Sequence, residues 1–267
     1  MAEHIRRYKD FALFLEKQGI RVFGMDNRGH GKTCEAEGEK GHIADKEGNI
    51  KLIEDVHDLN KYIKEQFSDK KIVIFGHSMG SVIVRNFLNK YSDSVDGAII
   101  CGTTEQYGMK HRFAMLLARI LSRKNGNKRS NFVNRLGFSG YNSGIKNKNT
   151  DFDWLTRDEI ENKKYENNEL CGYSVTPKFY SGIFSTIGFI NRNYKKLDEH
   201  VRILSVYGTD DKVIDIPYIN QIFNTLRKKK RRINILENKN GRHESLNETN
   251  KYEIYDEILK WLNAKDF

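Results

Sequence analysis

Cysteine is scarce in this chain: Cys34, Cys101 and Cys171 are the three among 267 residues. They lie far apart, are odd in number and show no Cys-x-x-Cys spacing, which excludes a disulfide framework. Cys101 closes an apolar run and reads as a small buried hydrophobe. Long apolar runs are missing too, none reaching the ~18 residues of a membrane-spanning helix. The opening Met1-Ala2-Glu3-His4-Ile5-Arg6-Arg7 has no apolar stretch behind its charges, so it is not a secretory signal. Reduced thiols and the missing leader together predict a cytoplasmic protein. There are no internal repeats.

Acidic residues are outnumbered by basic ones, 36 to 46, for a net charge of +10. The densest basic run, Arg227-Lys228-Lys229-Lys230-Arg231-Arg232, lies between a helical pattern and a strand pattern. It has no interleaved aromatics and no nucleic-acid motif accompanies it, so it reads as a solvated loop at a helix C-terminus. Nucleic acid is therefore not an expected partner, although transient contact with a membrane surface fits the charge. Hydrophobic residues at 38% and charged residues at 31% describe a globular chain with a very polar surface, long enough for a sizeable core.

What the chain does have is a strand–helix rhythm. Helical spacing of Tyr8, Phe11, Phe14 and Leu15 is closed by Gly19, and Arg21–Met25 has the pattern of a short strand. The stripe Leu52, Ile53, Val56, Leu59, Ile63, Phe67 predicts a long amphipathic helix. Ile72–Phe75, Asp96–Gly102, Val201–Tyr207 and Ile233–Leu236 read as buried strands, with helices over Ile219–Leu226 and Asn250–Leu262. Such alternation predicts a mostly parallel sheet covered on both faces, an α/β fold. From Thr103 to His200 no strand pattern occurs, and apolar stripes at Met109–Arg123 and Phe179–Ile187 predict a helical insertion over one end of the sheet. The expected organisation is core over 1–102, insertion over 103–200 and core again over 201–267.

The densest chemistry sits in Gly76-His77-Ser78-Met79-Gly80, between a strand pattern and a helix pattern. A serine in a sharp strand-to-helix turn is held in a strained conformation, its Oγ above the sheet over the helix N-terminus. Serine needs a base, and the base an orienting group. Asp211 lies just past the strand ending at Tyr207, with Asp210 as its local competitor. His243 follows the strand ending at Leu236, a placement that none of His4, His30, His42, His57, His77, His111 and His200 shares.

These residues, with Glu3-His4 and Arg7-Tyr8, Asp26-Asn27-Arg28-Gly29-His30-Gly31, Gly208-Thr209-Asp210-Asp211-Lys212-Val213, His243-Glu244 and Asn247-Glu248, resemble the monoacylglycerol lipase and lysophospholipase group of α/β-hydrolases, the serine aminopeptidase S33-like enzymes. The resemblance spans nearly the whole chain. It implies a Ser78–His243–Asp211 triad, since the family's acid stands three residues after the glycine. It also implies an oxyanion donor at the Met79 N–H, a structural role for Asp26–Gly31, and a cap corresponding to Thr103–His200. The family opens with two or three strands and a His-Gly before the Glu-His pair. Against that pattern roughly 25–35 residues of N-terminal strand and turn are expected to be absent, and Met1 occupies the position of the second oxyanion donor.

The expectation is a serine hydrolase acting on an ester of a fatty acyl chain, a monoacylglycerol or lysophospholipid, without metal or organic cofactor. Phe113, Leu117 and Phe184 are candidate acyl-pocket residues. An S33-like peptidase or a short-chain carboxylesterase is the neighbouring alternative; an inactive, truncated hydrolase-fold binding protein is the alternative of another class. The oligomeric state is not legible.

Overall fold

The computed structural model describes residues 1–34, 40–103, 109–132, 134, 140–183, 197–228 and 231–264. Its sheet has four parallel strands in chain order, β1 Val73–His77, β2 Gly97–Cys101, β3 Arg202–Gly208 and β4 Arg232–Asn238. Their registers run Val73 against Gly97, Gly97 against Arg202, and Arg202 against Arg232.

Strands β2 and β3 are buried along their whole length, which is why they read as continuous apolar runs. Successive side chains alternate between the faces. Ala98, Ile100, Ile203 and Ile233 pack against Val84, Phe87 and Leu88 of α3 (Met79–Tyr91) and Ile219, Phe223 and Leu226 of a helix at Ile216–Lys228. On the other face, Ile99, Cys101, Leu204 and Val206 meet Phe11 and Leu15 of α1 (Lys9–Lys17) and Ile254, Tyr255, Ile258 and Trp261 of a helix at Lys251–Leu262. The long stripe forms α2 (Gly48–Gln66). After β2 come α4 (Met109–Asn125) and α5 (Glu159–Glu166), so the helices at 216–228 and 251–262 are α6 and α7. Among the described residues no strand occurs between Cys101 and Arg202. Asp158 caps α5 by accepting the Ile160 and Glu161 N–H groups.

One strand expectation fails. Residues Arg21–Met25 have β-forming side chains but pair with no strand. They face the open edge of β1 across a cavity of about 880 Å³, lined by Val22, Phe23, Val56, Leu59 and Ile72–Phe75 among others. Without a ladder partner, β propensity has nothing to act through, and Val22 and Phe23 stand 46% and 44% exposed.

Candidate active site

Ser78 joins β1 to α3 with φ 52° and ψ −116°, a backbone conformation that costs a non-glycine residue about 1–3 kcal/mol. Its N–H donates to Cys101 O at 2.9 Å, tying the turn to the neighbouring strand. Gly76 makes the turn possible: a Cβ there would lie 2.3 Å from Gly80 O and 2.7 Å from Val84 Cγ2. Gly80, which shares the motif, has open space where a Cβ would be. The close approach of strand and helix therefore depends on the first glycine alone.

The two partners expected from the sequence come to this serine. His243 Nε2 is 2.9 Å from Ser78 Oγ, and His243 Nδ1 is 2.8 Å from Asp211 Oδ2. An ionised carboxylate only accepts, so Nδ1 carries the proton and the Nε2 lone pair faces the serine hydroxyl. The Asp211 carboxylate is fully buried, and its Oδ1 accepts the Val213 N–H at 2.8 Å. Asp210 points to solvent. At the end of β3, Gly208 lets the histidine loop close over the strand: a Cβ there would lie 2.1 Å from Gly241 O.

A segment of the middle block clamps that loop. The Trp154 ring lies tilted at 42° against His243 with ring centres 5.4 Å apart, and Glu244 donates its N–H to Leu155 O at 2.7 Å. Arg242 Nη1 donates to Asp153 O and Thr156 O at 2.6 and 3.0 Å, while Arg157 Nε reaches Glu248 at 2.8 Å. Sequence gave no local signal for this clamp, since both halves are irregular segments.

Beneath the histidine lies a buried polar relay. Arg7 makes a bidentate pair with Glu244 at 2.5 and 2.7 Å and also donates to Glu3 at 2.8 Å. Tyr8 Oη sits 3.0 Å from both Glu3 Oε1 and His77 Nδ1, and His77 Nε2 donates to His243 O at 3.1 Å. Burial alone would raise the Glu3 carboxyl. The His77 ring 3.7 Å away, the Met1 ammonium and Arg7 together outweigh it and hold Glu3 well below the usual carboxylate range. Burial raises Glu244 likewise, and Arg7 brings it below its ordinary value. The sequence offered Glu3, Arg7, Tyr8 and Glu244 only through a resemblance and gave His77 no role.

The Met79 N–H opens α3, where the first amides have no intrahelical acceptor. The Met1 nitrogen lies 3.9 Å from Glu3 Oε1, and its side chain packs against a cluster containing Met79, Val175, Phe179, Tyr180 and Ile183. Leu117 is half-buried on α4. Phe113 is 68% exposed, because the inner face of that helix is taken by Ala118 and Leu121. Phe184 lies outside the described residues. His30, in the loop expected to be structural, is buried; desolvation, with the nearby N-terminal charge, depresses it to about 4. Among the described residues no group of three His, Cys, Asp or Glu could hold a metal ion.

Comparison with solved structures gives likenesses over essentially the whole chain. A thermostable carboxyl esterase from Bacillus coagulans, in complex with glycerol, matches with TM-score 0.91 at 23% identity, over 100% of this chain and 88% of that one. A monoacylglycerol lipase from Paleococcus ferrophilus matches with TM-score 0.75 at 20% identity, over 98% and 90%. A soluble variant of monoglyceride lipase from Saccharomyces cerevisiae, with a substrate analogue, matches with TM-score 0.76 at 16% identity, over 98% and 83%. At such identities these likenesses establish the α/β-hydrolase fold. Comparison with curated proteins gives no match. The signature of the family described as serine aminopeptidase, S33, matches residues 1–250. The chain belongs to that family, a serine-hydrolase family of esterases and lipases with the α/β-hydrolase fold.

Proposed function

We propose that this protein hydrolyses carboxylic esters of fatty acyl chains, of the monoacylglycerol or lysophospholipid type, through Ser78, His243 and Asp211. The observation that carries the reading is the unbroken chain of contacts from Ser78 Oγ through the His243 ring to Asp211, 2.9 and 2.8 Å, on a strained strand-to-helix turn. Ser78 Oγ attacks the ester carbonyl as His243 Nε2 takes its proton. Asp211 holds the ring orientation and the charge that forms on it. The Met79 N–H, at the positive end of α3, faces the developing oxyanion, with residue 1 as the second donor position implied by the family pattern. His243 then returns the proton to the leaving alcohol. Water, activated by the same imidazole, releases the acid from the acyl-enzyme.

The division into a core over 1–102 and 201–267 with a cap over 103–200 belongs to the same proposal. So does an acyl pocket on the apolar cluster beside Met79, where Phe179 and Val175 are wholly buried. Phe113, exposed on the far side of α4, is not part of that pocket. A cytoplasmic address is supported by three buried cysteines, none of them in a disulfide. Labelling with a fluorophosphonate probe tests the triad: wild type should be labelled and Ser78→Ala should not. Turnover of p-nitrophenyl esters should then rise from acetyl towards octanoyl, each buried methylene being worth up to ~0.8 kcal/mol. No labelling would sink the enzymatic reading. Labelling with a preference for acetyl esters, or for amides, would replace the lipid substrate with a short ester or a peptide.

A further inference from the structure

His243 is 2% exposed, and its ring is enclosed by groups that the chain brings from far apart. Asp211 Oδ2 lies 2.8 Å from Nδ1, and Ser78 Oγ 2.9 Å from Nε2. The His77 ring stands 4.9 Å away, centre to centre. Gly102, just past β2, approaches so closely that a Cβ there would lie 3.2 Å from His243 Cε1. Another wall is the Trp154 indole, 5.4 Å from the imidazole centre and tilted 42° to it, with the Tyr141 ring 5.1 Å behind. The proton transfers described above use Ser78 and Asp211, and leave this indole without a task.

The backbone that carries Trp154 is fixed from both sides. Its N–H donates to Asn142 Oδ1 at 2.9 Å, while Asn142 Nδ2 donates to Thr150 O at 3.0 Å. The preceding Asp153 carboxylate accepts from the Asn149 N–H and the Thr150 hydroxyl, at 2.7 and 2.5 Å. On the other side, the Trp154 and Leu155 carbonyls accept the His243 and Glu244 N–H groups at 3.5 and 2.7 Å. An aliphatic side chain held there would exclude water as well. An aromatic face adds a negative quadrupole, which attracts a cation within about 6 Å. In the resting site the imidazole is neutral, its Nδ1 protonated and its Nε2 lone pair towards the serine, and the attraction is small. Once Nε2 has taken the Ser78 proton, the ring is a buried cation beside that face. An interaction stronger in the transition state than in the ground state raises kcat and leaves KM alone.

We infer that Trp154 is a positioning residue of this site, whose indole steadies the His243 imidazole and stabilises the positive charge that forms on it during turnover. The inference rests on the Ser78, His243 and Asp211 reading above. It gives the segment after β2 a part in the chemistry as well as in holding the loop. The loop itself keeps other ties, Arg242 to Asp153 O and Thr156 O and Arg157 to Glu248, so altering the indole electronically leaves the clamp in place.

Site-specific replacement of Trp154 by mono-, di- and tetrafluorinated tryptophan tests this in the full chain. Fluorine changes the shape of the ring little and drains its face of negative charge. With a p-nitrophenyl ester, kcat should fall at each step, by about 3- to 30-fold for the tetrafluorinated ring. KM should stay within about twofold, as expected where only the transition state is affected. Trp154→Phe, which keeps a smaller aromatic face, should lose less kcat than Trp154→Leu, which keeps apolar bulk without one. A series in which kcat does not change, or a loss confined to KM, overturns the inference. So does a Trp154→Leu enzyme as fast as Trp154→Phe. These outcomes require a wild type that hydrolyses the ester and is labelled by a fluorophosphonate. A wild type that does neither overturns the triad reading itself, and the inference with it.

Discussion

Arg7 is the residue whose removal should expose how the histidine loop is held. Its side chain is 8% exposed and lies between Glu3, 14% exposed, and Glu244, 4% exposed. Arg7→Met keeps most of the aliphatic volume but deletes contacts of 2.8, 2.5 and 2.7 Å and leaves two buried carboxylates facing each other. Breaking a buried pair from one side costs about 3–5 kcal/mol, which lowers the melting temperature of a domain this size by on the order of 10 °C. In the wild type both carboxyls are held below their ordinary values. Their contribution is fully present above the unfolded carboxylate range, near ~4.3, and is lost as pH falls through the depressed folded-state values. In the variant, burial without a partner raises both, so they take up protons as the pH is lowered and the gap between the proteins narrows. Thermal unfolding at pH 7 and at pH 4.5 measures this. Adding Glu244→Gln to Arg7→Met removes one of the stranded charges, and the pair should couple by about 0.5–3 kcal/mol. A loss under ~1 kcal/mol at pH 7, or no recovery from Glu244→Gln, would refute the argument.

Other outcomes follow from the same geometry. Asp211→Asn should lower kcat by on the order of 10³–10⁴, whereas Asp210→Asn, at an exposed side chain, should stay within about threefold; equal losses would displace Asp211 from its role. His77→Phe should reduce kcat more than it alters KM, because it frees the His243 carbonyl, and His77→Gln, which can still donate there, should restore most of the rate. The folded-state value of His30, about 4, lies below its ordinary 6.5. Stabilisation present above 6.5 should therefore fall away as pH drops through that window, by about 3 kcal/mol. Across that window, urea titrations should show a larger loss of stability on acidification in the wild type than in His30→Phe, which keeps only the smaller slope from the likewise depressed His4.

By itself the sequence determined the elements whose signals are local. Four apolar runs became the four parallel strands, amphipathic spacing located α1, α2, α4, α6 and α7, and Gly76-His77-Ser78-Met79-Gly80 placed a serine in a strand-to-helix turn. These signals are written within a few residues, because backbone sterics and side-chain periodicity act at that range. The tertiary structure decided everything that depends on residues far apart in the chain. Asp210 and Asp211 are neighbours of one residue type, and only the fold buries one against His243 and leaves the other in solvent. Arg21–Met25 has the composition of a strand but no ladder partner, and Phe113 belongs to an apolar stripe yet stands on its exposed side. The Arg7–Glu244 pair joins residues 237 positions apart, and Trp154 reaches the histidine loop from an irregular segment. Burial and hydrogen-bond partners are set by what packs against a side chain, and no local pattern records that.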